Sequence, residues 1–200
     1  MCRLLETIRY SRDGYDNLFY HTQRMNTSRQ QLYGADNVLD LEQMLEKKPL
    51  VPDGIVKCRV VLSQTIEKVE YIPYFPRPVR SLQIIYDDTI EYRFKYENRE
   101  QLQKLFLQRK SSDDIIIVKQ GQVTDTSFSN IAFLYKGKWI TPAAPLLFGT
   151  RRAQLIDEAI LEEEEMTVLF IRKCEKARLI NSMFRFYESP EIGISQIMGL

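Results

Sequence analysis

GQVTDTSFSNIAFLYKGKWITPAAPLLFGTRR, residues 121–152, runs a β-rich segment directly into a helix start. Gln120-Gly121 and Lys136-Gly137 each stand between runs of β-branched and aromatic residues, so the segment reads as two short hairpins. A proline-broken loop follows, and Gly149-Thr150-Arg151-Arg152 opens a helix. Inside the hairpins lies a hydroxyl-rich patch around one carboxylate, Thr124-Asp125-Thr126-Ser127-Phe128-Ser129-Asn130. A strand made only for a dry core has no use for such a patch, because every buried polar atom needs a hydrogen-bond partner.

Upstream, Leu4–Tyr10 alternates apolar and polar residues and Asp13-Gly14 marks a hairpin turn. A polar helix is expected over His21–Leu32 and a short one over Leu41–Lys47. Strands are expected at 54–63, 68–75 and 81–87, then a connector over 88–99 and a helix over Glu100–Arg109. Downstream, Arg152–Glu163 reads as a helix with the acidic run 162–165 as its solvated end, and 166–172 and 177–183 read as strands. Runs of strands broken by isolated helices make this an α+β chain. Periodicity is lost near residues 86–95, which puts a boundary between a lobe of residues 1–87 and one of 88–200.

With 200 residues, 44% of them hydrophobic, the chain can bury a core. The 28 Lys and Arg residues against 27 Asp and Glu give no electrostatic case for nucleic acid. No signal-peptide layout and no membrane-length apolar run is present, which points to a cytoplasmic protein. Three cysteines without a CxxC pair argue against a disulfide framework or zinc knuckle, and a single histidine, His21, argues against His-based metal sites and Ser-His triads. Chemistry must come from Lys, Asp, Glu, Arg, hydroxyls or a cofactor.

Four features suit such chemistry, and each has a plain alternative. Gly149-Thr150 before a helix suits a phosphate, since helix N-termini direct N–H groups outward, but Thr150 is equally an ordinary N-cap. Asp125 at a strand end suits a cationic ring nitrogen, or serves as a turn residue. Lys95 lies between Phe94 and Tyr96, a setting that lowers an amine's pKa and suits Schiff-base chemistry, although most lysines are surface residues. His21 and Arg24 share a helix face, as a surface pair or with Arg24 on a phosphate.

Their order along the chain resembles the fold-type IV pyridoxal-phosphate (PLP) enzymes, which include the branched-chain and D-amino acid aminotransferases and 4-amino-4-deoxychorismate lyase. LLETIRYSRDG resembles the family's early strand and turn, YHTQR its His-x-x-Arg helix, and FKYENREQL, with Lys95 and Arg99, its cofactor-lysine segment. VTDTSFSNIAF through PLLFGTRR resembles the class-IV signature, and LINSM the late Asn-Ser/Ala-Leu/Met stretch of the lyases.

The resemblance implies a two-lobed α+β fold like that of D-amino acid aminotransferase, beginning after the family's first strand. It implies PLP carried by Lys95, with Asp125 at the pyridine nitrogen and Arg24, Gly149 and Thr150 at the phosphate. Ser127, Ser129, Asn181 and Ser182 would line the substrate side, and Arg59 and Arg185 would grip substrate carboxylates. No metal is implied. The implied reaction is release of pyruvate from aminodeoxychorismate to give p-aminobenzoate for folate synthesis, by a cytoplasmic homodimer. Transamination, or PLP binding without turnover, is the alternative. Two departures stand out: the family usually has Glu at Asp125 and an aliphatic residue after Gly149.

Overall fold

The structure, a computed structural model, describes residues 2–46 and 54–200. The chain forms two compact units, Met1–Pro76 with Phe94–Asn98, and Arg77–Arg93 with Arg99–Leu200.

In the first unit, β1 (Leu4–Ser11) turns at Gly14, whose φ of 104° favours glycine, into the short β2 (Gly14–Tyr15). Next come α1 (Leu18–Tyr33), α2 (Leu41–Met44), β3 (Val56–Leu62) and β4 (Ile66–Pro73). The four strands form one antiparallel sheet in the order β2-β1-β3-β4. Alternation on β1 buries Leu4, Glu6 and Ile8 on one face, and Met25 of α1, Leu41 of α2 and Cys58, Val60 and Leu62 of β3 complete the core. The expected helix over Leu41–Lys47 is observed to Met44, and Lys47 lies outside the described residues.

The second unit contains β5 (Leu82–Tyr86), α3 (Glu100–Phe106), β6 (Asp114–Lys119), β7 (Gln122–Thr126), β8 (Asn130–Tyr135) and β9 (Lys138–Pro142). It continues through α4 (Thr150–Asp157), β10 (Leu161–Glu164), α5 (Val168–Ile171), β11 (Lys176–Ile180), β12 (Glu191–Gly193) and β13 (Ile197–Met198). One sheet runs β10-β9-β8-β11-β12 and the other β13-β5-β6-β7. Ile84, Ile116 and Val118 of one sheet and Ile131, Phe133 and Leu179 of the other belong to one buried cluster. Both expected hairpins form. Gln120 (φ 51°) and Gly121 (φ 75°) join β6 to β7, and Lys136 (φ 50°) and Gly137 (φ 77°) join β8 to β9. Positive φ at both central residues gives the turn the twist that adjoining strands need.

Several expectations change. Residues 162–165 are not the solvated end of a helix: α4 closes at Asp157, Ala159 takes φ 54°, and Leu161–Glu164 pairs in parallel with β9 as an edge strand. Segment 166–172, read as a strand, contains α5, because the Thr167 side chain accepts from the Phe170 N–H and caps a helical turn. Strand β5, expected in a lobe of residues 1–87, pairs with β6 in the second unit, so the division falls after Pro76. The segment holding Lys95, expected in the lobe of residues 88–200, belongs to the first unit. No helix among the described residues is long and apolar enough to cross a membrane.

Candidate active site

The first unit gathers Glu6, His21 and Arg24 in its interior. Glu6 occupies the buried face of β1. His21 Nδ1 lies 2.6 Å from Glu6 Oε2, Arg24 donates its Nε–H to Glu6 Oε1 at 3.0 Å, and Arg24 Nη2 reaches Oε2. Burial pushes the Glu6 carboxyl up, but the Arg24 charge and the His21 hydrogen bond outweigh it and hold the group at about 2. Burial pushes the His21 ring down, against the pull of Glu6. At neutral pH a neutral ring then donates Nδ1–H to a charged Glu6. The helix spacing that suggested a His21–Arg24 pair is real, and the partner that joins them is Glu6.

Lys95 is half-buried in the same unit. Its backbone is fixed at the edge of β1: the Lys95 carbonyl accepts from the Leu5 N–H at 2.9 Å, and Tyr96 bridges to Leu4. Phe94 and Tyr96 flank it with ring centroids 5.9 Å apart in an edge-to-face contact. The Lys95 charge also reaches His21, adding a smaller push toward the neutral ring. Arg59, expected on a substrate carboxylate, faces carboxylates of its own: Glu70 at 2.6 Å and Glu97 at 4.0 Å. Those partners share its charge within the first unit.

The second unit holds the other candidates. Asp125, near the end of β7, is buried. Its Oδ1 accepts from Asn130 Nδ2 at 2.7 Å and its Oδ2 from the Leu147 N–H at 2.9 Å. Burial pushes its carboxyl up to about 6, against these two donors and the charge of Arg152. Asn130 also donates to the Leu147 carbonyl at 2.8 Å, tying β8 to the loop before α4. Gly149 is the N-cap of α4, with Thr150 buried behind it. A β-carbon on Gly149 would stand 2.0 Å from Asn130 Oδ1, so only glycine lets the helix start come this close.

The turn from β7 to β8 is held by Thr126, whose hydroxyl donates to the Ser129 carbonyl and accepts from the Ser129 N–H. Ser127 and Ser129 are both buried there. Asn181, just after β11, donates to Ser129 Oγ at 2.8 Å and accepts from the Met183 N–H at 2.9 Å. A candidate from the signature and one from the late LINSM stretch thus meet. Ser182 follows half-buried, and Arg185 is exposed.

Two residues of these networks escaped the sequence reading. Glu6 left a signal, a carboxylate on the buried register of a strand between Leu4 and Ile8. Asn130 sat inside the quoted patch, and only the approach of Gly149 shows what it does.

The donor set suits a pyridine phosphate. A buried carboxylate bonded only by neutral N–H groups gains from a cationic ring N–H, and a glycine-led helix start offers main-chain donors to a phosphate. Residues 94–189 match the amino-transferase class IV family. A protein of Haemophilus influenzae is 31% identical over 185 residues, 92% of this chain and 98% of that one. A structure from Haemophilus somnus, named a "putative 4-amino-4-deoxychorismate lyase", is 30% identical, covers 92% of this chain and 97% of its own, and has a TM-score of 0.83. A PLP-bound "hypothetical aminotransferase" of Mycobacterium tuberculosis shares the fold at 16% identity and a TM-score of 0.76, over 98% of this chain and 81% of its own. The chain belongs to the amino-transferase class IV family, the fold-type IV PLP-dependent enzymes.

Proposed function

We propose that the protein is a PLP-dependent lyase that releases pyruvate from aminodeoxychorismate to give p-aminobenzoate. The observation that carries this reading is the Asn181–Ser129 hydrogen bond, which ties the lyase-like Asn-Ser-Met triplet to the turn beyond Asp125. The Haemophilus somnus protein, at 30% identity, bears the corresponding name. So does a Schizosaccharomyces pombe protein, a "putative aminodeoxychorismate lyase", 33% identical over 78 residues, 36% of this chain and 34% of that one.

When bound, PLP supplies an electron sink for a bond broken at the amino-bearing carbon of the substrate. Lys95 carries the cofactor and, as a neutral amine, takes the proton from that carbon. The C–O bond at the neighbouring ring carbon would then break, the ring becoming aromatic, and the proton held by Lys95 would pass to the methylene carbon of the departing enolpyruvate to give pyruvate. Asp125 keeps the proton on the pyridine nitrogen. A carboxyl pushed up by burial despite the Arg152 charge gains further from a ring N–H⁺. Arg24, fixed in orientation by Glu6, and the amides at Gly149 and Thr150 bind the phosphate. Ser127, Ser129, Asn181 and Ser182 orient the substrate, with Arg185 as a grip for one of its carboxylates. By the same resemblance the working form is a cytoplasmic homodimer, which sedimentation of the PLP-loaded protein tests.

The deciding experiment is a coupled pyruvate assay with aminodeoxychorismate, run beside a panel of L- and D-amino acids with 2-oxoglutarate. Pyruvate release well above any transamination is expected. Strong transamination without pyruvate makes the protein an aminotransferase. Bound PLP with silence in both assays removes the lyase reading.

A further inference from the structure

The second unit also carries a cavity of about 290 Å³ beside the β7–β8 turn, sharing Ser127 with the residues assigned above to the substrate side. Its polar lining includes Arg77, Arg99, Gln103 and Ser127, and its apolar lining includes Phe106 and Phe128. The Arg77 guanidinium lies over both rings, 5.2 Å from the centroid of Phe106 and 5.5 Å from that of Phe128. Arg109 lies over Phe106 as well, at 4.2 Å. Arg99 donates Nη2–H to the Ser127 carbonyl. Among the described residues neither Arg77 nor Arg99 forms an ion pair.

Aromatic faces attract a guanidinium without neutralising it, and Arg77 and Arg99 both remain exposed. Two nearby carboxylates, Asp113 and Asp114, feel the Arg77 charge. Asp113 accepts from the Arg80 and Ser81 N–H groups. Asp114 is fully buried, and burial pushes its carboxyl up, against the pulls of Ser127, the Ile115 N–H and the Arg77 charge. Arg77 and Arg99 thus bring two guanidiniums to the cavity lining, with Asp113 as the charged carboxylate nearby.

We propose that this cavity is a second binding site, for a small aromatic carboxylate. Arg77 and Arg99 take the carboxylate, since a guanidinium fork matches its two oxygens. Phe106, Phe128 and Leu102 cover the ring, and the Gln103 carboxamide meets a polar substituent on it. The size agrees: a cavity of about 150 Å³ holds benzene, so this one has room for a ring with a carboxylate. A bare phosphate would satisfy the arginines and leave the phenyl and leucine surfaces uncovered. The product assigned above belongs to this ligand class, but the inference does not rest on that reaction, because binding is measured without turnover.

The test is calorimetric titration of PLP-loaded protein with benzoate, 4-aminobenzoate, cyclohexanecarboxylate and inorganic phosphate. Both aromatic acids should bind with a Kd of about 1 mM or tighter and exceed the other two probes. Arg77→Gln should weaken benzoate by roughly tenfold or more, and Phe106→Leu by a smaller factor. Arg172→Gln, an exposed arginine on another segment, should leave it unchanged. Three results each overturn the proposal: no benzoate binding at millimolar concentration, equal binding of phosphate, or benzoate binding indifferent to Arg77→Gln and Phe106→Leu.

Discussion

Asn130 and Gly149 fit together in a way that allows no β-carbon between them: one built on Gly149 would lie 2.0 Å from Asn130 Oδ1. Asn130 cannot simply swing aside, because its Nδ2 holds both the Asp125 carboxylate and the Leu147 carbonyl. The helix start and the buried carboxylate are therefore one mechanical unit.

Gly149→Ala should weaken PLP binding and lower thermal stability by about 1–3 kcal/mol, since Asn130 must release two buried partners. On an Asn130→Ala background the same change should cost clearly less, a coupling that a double-mutant cycle measures. Additive costs would separate the two residues.

Glu6→Gln should be destabilising in a pH-dependent way. The folded carboxyl sits at about 2 against an ordinary 4.5. Its contribution, about 3 kcal/mol, is thus fully present above pH 4.5 and lost as pH falls toward 2. Urea unfolding should show a wide gap between parent and variant at pH 7 and a much narrower one at pH 3. A gap of constant size would mean that Glu6 acts only by filling space.

Asp125→Asn tests the opposite sign. Burial raises this carboxyl from 3.8 to about 6, so the stabilising protonated form prevails below pH 4 and its benefit is lost as pH rises through 6. Both oxygens accept from N–H donors, so the amide introduces a fixed mismatch at every pH. On moving from pH 4 to pH 7.5, apo-protein stability should shift in favour of the variant by roughly 2–3 kcal/mol. Turnover should fall at least a hundredfold, a loss of about 2.7 kcal/mol in transition-state stabilisation. A flat stability difference together with normal turnover would remove Asp125 from the pyridine nitrogen.

The β hairpins and the helix start were legible because their turns need residues that tolerate positive φ, and Gln120-Gly121 and Lys136-Gly137 supply it. Segments 161–164 and 166–172 misled for a different reason. Four acidic or apolar residues fit either period, and only pairing with β9 or the Thr167 cap decides between strand and helix. Asp125, Gly149 and Asn181 could be picked out because they sit in a recognisable order. Glu6, despite its buried register, and Asn130 were missed, since each works through a partner distant in sequence, Arg24 for one and Leu147 for the other. Arg59 could be picked out as a charge, but its partners on β4 and at Glu97 appear only in the fold.

The position of the cofactor is the central claim, and borohydride reduction tests it most directly. PLP-loaded protein should be yellow, lose that colour on reduction, and retain PLP on a single peptide after digestion and mass spectrometry. The account predicts that the modified residue is Lys95. A label on Lys104, Lys110 or any other lysine, or no stable label on yellow protein, would contradict it.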